Sequence, residues 1–168
     1  MRERRRPARA SRVAMAEIVM PEDTNPSQHV WGGRVMALID KAAALAAMRH
    51  CRMPVVTASV DFLVFRAPVR LGHILRLRAA VNAAFRTSME IGVDVTSEDP
   101  LTGRIANTCH AYVTMVALDA DRSPARVPRL LLRTAAERRE DRAAHRRRAL
   151  RLRQRGPSTG AFHRASGG

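Results

Sequence analysis

The chain has 168 residues, 46% of them hydrophobic, and a formal net charge of +15. That is enough for one domain with a real core. The charge invites a nucleic-acid reading until it is located. Residues 1–16 hold six Arg and one Glu, and residues 131–168 hold eleven Arg and three acids, so the segment between them is near neutral. No apolar run approaches the roughly 18 residues a membrane span needs.

In chain order, residues 1–16 form a basic N-terminal arm, expected to be disordered or to be leader upstream of a start at Met15; a transit-like segment is the other reading. The apolar core of a secretory signal is not seen there. Glu17 to Met20 reads as a short strand ended by Pro21. Pro21 to His29 is a polar loop with two prolines. Gly32-Gly33 then opens a helix expected from about Gly33 to His50, apolar almost all round, with one carboxylate, Asp40, in its middle. Such a helix needs cover on most sides, and a buried lone carboxylate needs a partner or a function.

Pro54 marks the exit, and four strands are expected after it: Val55 to Phe65, Ile74 to Val81, Ser88 to Val95 and Arg104 to Leu118. In the second, Leu75, Leu77, Ala79 and Val81 alternate with Arg76 and Arg78. In the third, Met89, Ile91, Val93 and Val95 point inward, with Glu90, Gly92 and Asp94 outward. Period-2 patterning predicts an antiparallel sheet with one solvated face. One strand, one long helix and four strands make an α+β domain over residues 17–130. Residues 131–168 form an Arg-rich extension, helical over about Thr134 to Arg155 and disordered beyond.

Two cysteines, Cys51 and Cys109, lie far apart with no CxxC pair, which points to a reducing, cytoplasmic compartment. No metal-ligand spacing appears among Cys and His, and no Gly-x-Ser-x-Gly elbow for a serine hydrolase.

Four stretches, taken together, carry a resemblance. They are Met20-Pro21-Glu22-Asp23-Thr24-Asn25 followed by Gly32-Gly33; Met36-Ala37-Leu38-Ile39-Asp40-Lys41-Ala42-Ala43; Val56-Thr57-Ala58-Ser59-Val60-Asp61 with Phe65 and Pro68-Val69-Arg70-Leu71-Gly72; and Arg86-Thr87-Ser88-Met89-Glu90 with Val116-Ala117-Leu118-Asp119. Over residues 20–128 the chain resembles hotdog-fold acyl-CoA thioesterases of the bacterial YciA and brain acyl-CoA hydrolase type. It departs from them at Gln28, His73 and Phe85, where the family usually has Gly, Asp and Gly.

The resemblance implies an antiparallel sheet wrapped around one central helix, and hydrolysis of fatty acyl-CoA to free acid and CoA. It implies a site shared between two subunits, in which Asp40 of one faces Asn25 of the other, and dimers grouping into a hexamer. Asp40 would act as general base or nucleophile; an aspartate with the usual pKa of about 4 is a weak base, so the first role needs an upward shift. Backbone N–H groups at Gly32 and Gly33 suit a developing oxyanion, and the Asn25 amide suits carbonyl or water. Arg86, Thr87 and Ser88 are candidates for CoA phosphate or pantetheine. CoA is part of the substrate, and neither cofactor nor metal is expected.

Each residue also has a plainer role. For Asp40 it is bonding loop amides, for Asn25 capping a turn, for Gly32-Gly33 close packing, and for Arg86-Thr87-Ser88 a hairpin turn. His29 is a weaker candidate base. A non-catalytic acyl-CoA-binding module is the alternative function. Nucleic-acid binding by the tails is disfavoured, because they lack interleaved aromatics.

Overall fold

The computed structural model describes residues 5–154. Its centre is a five-stranded antiparallel sheet built from β2 (Val13–Ile18), β3 (Val55–Asp61), β4 (Ile74–Ala84), β5 (Ser88–Glu98) and β6 (Ile105–Ala117). The spatial order is β2-β4-β5-β6-β3. The helix α1 (Gly32–Cys51) crosses one face, and α2 (Ala135–Gln154) lies on the other. Two three-residue strands, β1 (Arg5–Pro7) and β7 (Arg129–Leu131), pair in parallel beside this body.

The alternation read from the sequence is what the sheet uses. Leu75, Leu77, Ala79 and Val81 of β4 are buried, as are Met89, Ile91, Val93 and Val95 of β5 and Ala111, Val113 and Met115 of β6. Against them α1 sets Val35, Leu38, Ile39, Ala42, Ala43, Ala46 and Ala47. The four alanines have no accessible surface, so the helix backbone sits close to the sheet. Full burial of a side chain such as Leu38 or Ile39 stabilises by about 1.5–3 kcal/mol. Arg52, in the left-handed region at φ 59°, ends α1, and its N–H returns to the Met48 carbonyl.

Four expectations are corrected. Residues 5–16 are not a disordered arm. Val13 to Ile18 pair with β4 in register from Val13↔Ala79 to Ile18↔Ile74, and the buried Ser11 hydroxyl accepts the Val81 N–H at 3.0 Å. The first strand therefore begins upstream of the expected Glu17–Met20 and ends at Ile18, with Val13 and Met15 supplying inward positions. The strand expected over 55–65 stops at Asp61, because Phe62 turns left-handed at φ 57° and breaks the ladder. Phe62, Val64 and Phe65 are then exposed.

Third, the outer face of the sheet is solvated only in part: Asp94 is exposed, as expected, but Glu90 is not. Glu90, an outward position, has no accessible surface and is covered by α2. Fourth, α1 is covered on most sides, but the side that carries Asp40 is open. Met36, Ala37, Asp40, Lys41 and Met48 are exposed along one side of it. The expected disorder of residues 156–168 lies outside the described residues.

Candidate active site

The site begins with a loop bolted to a helix start. Arg34, in the first turn of α1, donates to Asp23 and to Glu17, each at 2.7 Å. Asp23 also accepts the Met20 N–H through its carboxylate and the Trp31 N–H through its carbonyl. Residues 20–31 are thereby held against α1 despite their irregular backbone. Within this loop the Asn25 side-chain oxygen accepts the N–H groups of Ser27 (3.0 Å) and His29 (3.2 Å). Asn25 does cap its turn. The capping also orients it: with Oδ1 engaged, the amide NH2 is the end left to donate.

Trp31 precedes α1 and supplies no capping side chain. The first intrahelical bonds come from Arg34 and Val35, both to the Trp31 carbonyl. The N–H groups of Gly32 and Gly33 thus belong to the unpaired first turn of a helix, where the dipole favours negative charge. A Cβ on Gly32 would meet the Phe65 ring only at 3.4 Å, and one on Gly33 would meet nothing within 4 Å. Close packing therefore does not explain the pair; the space above them is open. Asn25, His29, Gly32, Val35, Phe65 and Thr108 line one cavity of about 380 Å³.

Asp40 is elsewhere. It lies eight residues beyond Gly32, about 12 Å along the helix axis, and does not line that cavity. It is exposed, not buried as a helix apolar all round would require. Its Oδ1 accepts the Thr57 hydroxyl at 2.5 Å. Thr57 sits on β3, whose pairing shifts register between Thr57 and Ser59. The structure thus brings together Asn25 with Gly32 in one place and Asp40 with Thr57 in another.

Arg86 and Thr87 lie in the tight β4–β5 connection and Ser88 opens β5, with the turn closed by the Phe85 N–H on the Ser88 carbonyl. The carbonyls of Arg86 and Thr87 accept Val127 and Ala117 N–H groups, while the Arg86 side chain is exposed. Ser88 pairs with Val116, which pairs with Val56. The turn is therefore two strands, about 10 Å, from the start of β3, at the Thr57 end of the sheet. A larger groove of about 1270 Å³ runs over the outer face past Arg78, Asp94, His110 and Tyr112, and holds none of the candidate residues.

The contacts of Thr57 and Arg34 are not legible in the sequence. A threonine in a β-branched strand reads as a strand former. Its bond to Asp40 exists only once β3 lies beside α1. Among the described residues no group of three or more His, Cys, Asp or Glu could hold a metal. Cys51 and Cys109 are free and buried, and burial pushes the Cys109 thiol up to about 11.

Comparison with known proteins identifies the frame. A profile of the thioesterase superfamily matches residues 27–104. A solved hexameric acyl-CoA thioesterase superposes with a TM-score of 0.87 at 37% identity, over 92% of this chain and 99% of that one. The chain belongs to the hotdog-fold acyl-CoA thioesterases. Within this family it is 36% identical over 127 residues to the uncharacterized acyl-CoA thioester hydrolase YkhA of Bacillus subtilis, covering 76% of this chain and 74% of that protein. An acyl-CoA hydrolase from Staphylococcus aureus, solved with butyryl-CoA, CoA and CoA disulfide, has a TM-score of 0.80 at 33% identity, over 89% of this chain and 94% of that one. The thioesterase frame makes α1 the central helix and the face bearing Asp40 the one to explain.

Proposed function

We propose that the chain hydrolyses the thioester of fatty acyl-CoA to free acid and CoA, at a site completed by a second copy of itself. The observation that carries this is Asp40, held by Thr57 in the middle of an uncovered apolar helix face. A lone chain leaves Met36 and Met48 beside that carboxylate in water, together with Val56 and Val60 of the edge strand β3. An exposed apolar edge strand is a template for pairing. A two-fold partner would cover the strand and the helix face together and bring its own Asn25 and Gly32 toward Asp40. Hexameric relatives suggest that three such dimers assemble.

In this reading the thioester carbonyl oxygen meets the Gly32 and Gly33 N–H groups and the Asn25 NH2, which stabilise the charge that develops there. Asp40 either takes a proton from a water that attacks the carbonyl carbon or attacks it directly; Thr57 holds the carboxylate in either case. The C–S bond then breaks: in the first case the CoA thiolate takes the proton held by Asp40, and in the second a water cleaves the acyl–Asp40 anhydride, releasing the acid, restoring the carboxylate and supplying the thiolate's proton. No cofactor is needed, because CoA enters and leaves as part of the substrate. The exposed Arg86 side chain, with Thr87 and Ser88, supplies a cation at the right end of the sheet for a CoA phosphate. Met36, Leu45, Met48 and Phe65 offer apolar surface for the acyl chain.

The Staphylococcus aureus enzyme has been solved as single alanine variants at an Asn, an Asp and a Thr. Their spacings, 15 and 17 residues, equal those from Asn25 to Asp40 and from Asp40 to Thr57. Among the described residues no helix is long and apolar enough to cross a membrane. With two unbridged cysteines, this fits a cytoplasmic enzyme.

The experiment is thiol release across short, medium, long and aromatic acyl-CoAs. Asp40→Asn should lose on the order of a thousandfold in kcat while still binding CoA. Asn25→Ala should lose on the order of a hundredfold. Undiminished turnover by Asp40→Asn removes Asp40 from the mechanism. Saturable acyl-CoA binding with no hydrolysis by the native chain makes the domain a binding module instead.

A further inference from the structure

The helix α2 uses only one of its sides inside the molecule. Arg147, Arg151 and the fully buried Ala144 face the sheet. At 100° per residue, Arg138, Arg139, Arg142, Arg146 and Arg153 fall within about 100° of arc on the opposite side. All five are exposed. From Arg139 to Arg153 the stripe runs about 21 Å.

The acids of the same helix leave the stripe uncompensated. Glu137 accepts the N–H groups of Arg133 and Thr134, and Asp141 approaches His145 at 3.8 Å. Glu140 reaches Arg139 only at 3.9 Å, between exposed side chains, where an ion pair counts for little. At the C-terminal end of the stripe two leucines stand in solvent on its flanks, Leu150 at 53% and Leu152 at 51% exposure.

We propose that this stripe docks the protein on the surface of an anionic lipid bilayer, with α2 lying in the plane of the interface. Charge complementarity requires a dense negative partner. A second copy does not qualify, because the chain carries a net charge of +15. A nucleic-acid duplex fits poorly: α2 is anchored along its opposite side and offers a ridge, not a free helix able to enter a groove. The stripe carries no aromatic ring for base stacking. A flat field of negative headgroups is met by a single stripe, and only a lipid surface also gives Leu150 and Leu152 an apolar place to go. The proposal goes beyond hydrolysis and does not rest on it.

The test is vesicle co-sedimentation of the full chain, using phosphatidylcholine alone and phosphatidylcholine with roughly a third phosphatidylglycerol. Binding is expected to the anionic vesicles only, and it should fall away near 1 M salt, where screening acts within about 3 Å. Arg139→Gln, Arg142→Gln and Arg146→Gln together should weaken it on the order of a hundredfold, about fivefold per arginine. A control triple that removes equal charge elsewhere, Arg70→Gln, Arg104→Gln and Arg126→Gln, should bind as the native chain does. Leu150→Ser with Leu152→Ser should also weaken binding without changing net charge. The proposal fails if anionic vesicles are not bound, or if the control triple loses as much as the stripe triple. It also fails if duplex DNA at the same phosphate concentration strips the protein from the vesicles. All these positions are exposed, so each variant keeps the buried contacts of α2.

Discussion

The same sheet is covered by two helices of 20 residues each, attached by opposite means. On the inner face α1 docks chiefly through alanines, Leu38 and Ile39, and its charged side chains touch the sheet only at solvent-accessible positions, Arg34 on Glu17 and Asp40 on Thr57. On the outer face α2 docks through arginines. Arg147 forks onto the fully buried Glu90, at 2.7 Å through Nη2, and lies 3.6 Å from the Tyr112 ring centre. Arg148 stacks on Phe85 at 4.5 Å, and Arg151 reaches Asp61 at 2.5 Å. Apolar contact tolerates sliding and is paid for by water release alone. A buried ion pair tolerates no loss of either partner, because the remaining charge is left desolvated.

The outer attachment should therefore break harder at one point than the inner one. Arg147→Met leaves Glu90 buried without its partner and should cost about 3–5 kcal/mol, read by urea unfolding. Adding Glu90→Leu should recover most of it, since neither charge then needs solvation. A double variant as unstable as the single one would show that Arg147 acts by packing on Tyr112 and not by pairing. On the inner face, Leu38→Ala should cost about 2–5 kcal/mol. No second substitution of a polar residue should rescue it, because the loss is a cavity.

The two attachments also differ in how far they were legible. Period-2 alternation announced the inner faces of β4 and β5, and Met89, Ile91, Val93 and Val95 are all buried as read. The same alternation marked Glu90 as solvent-facing. Nothing local distinguishes a carboxylate that meets water from one that meets an arginine 57 residues later. The helix α2 was visible by composition, but its docking was not, since it has no apolar stripe. At the site, Asp40 and Asn25 stood out through the motifs around them. Thr57 did not, because its part depends on two elements meeting. An apolar helix around Asp40 implies a buried carboxylate; it is exposed, because the helix lacks cover on that side.

Arg151 offers a milder version of the outer contact. Asp61 keeps 20% of its side-chain exposure, so water can replace part of what the arginine supplies. Arg151→Met should cost about 1 kcal/mol. Hydrogen exchange should localise the loosening to the C-terminal end of α2 and to the end of β3. Equal loosening along all of α2 would mean that the helix is released as one piece.

The smallest effect lies on the inner helix and depends on pH. His50 has no accessible surface, and its Nε2–H donates to the Pro128 carbonyl at 2.7 Å. Its Nδ1 is buried with no partner among the described residues. Protonation would place an N–H where nothing accepts it, near the Arg6 guanidinium. Burial, aided by Arg6 and opposed by the Pro128 bond, holds the imidazole below its ordinary 6.5. The unfolded chain then binds the proton first as pH falls. Stability is complete above about 6.5 and declines as pH drops from there toward the folded-state value, where the decline ends. His50→Gln keeps a donor for Pro128 but cannot titrate. It should flatten this part of the stability profile, measured as urea midpoints between pH values of about 7.5 and 5. An unchanged slope in that variant would assign the acid sensitivity to other groups.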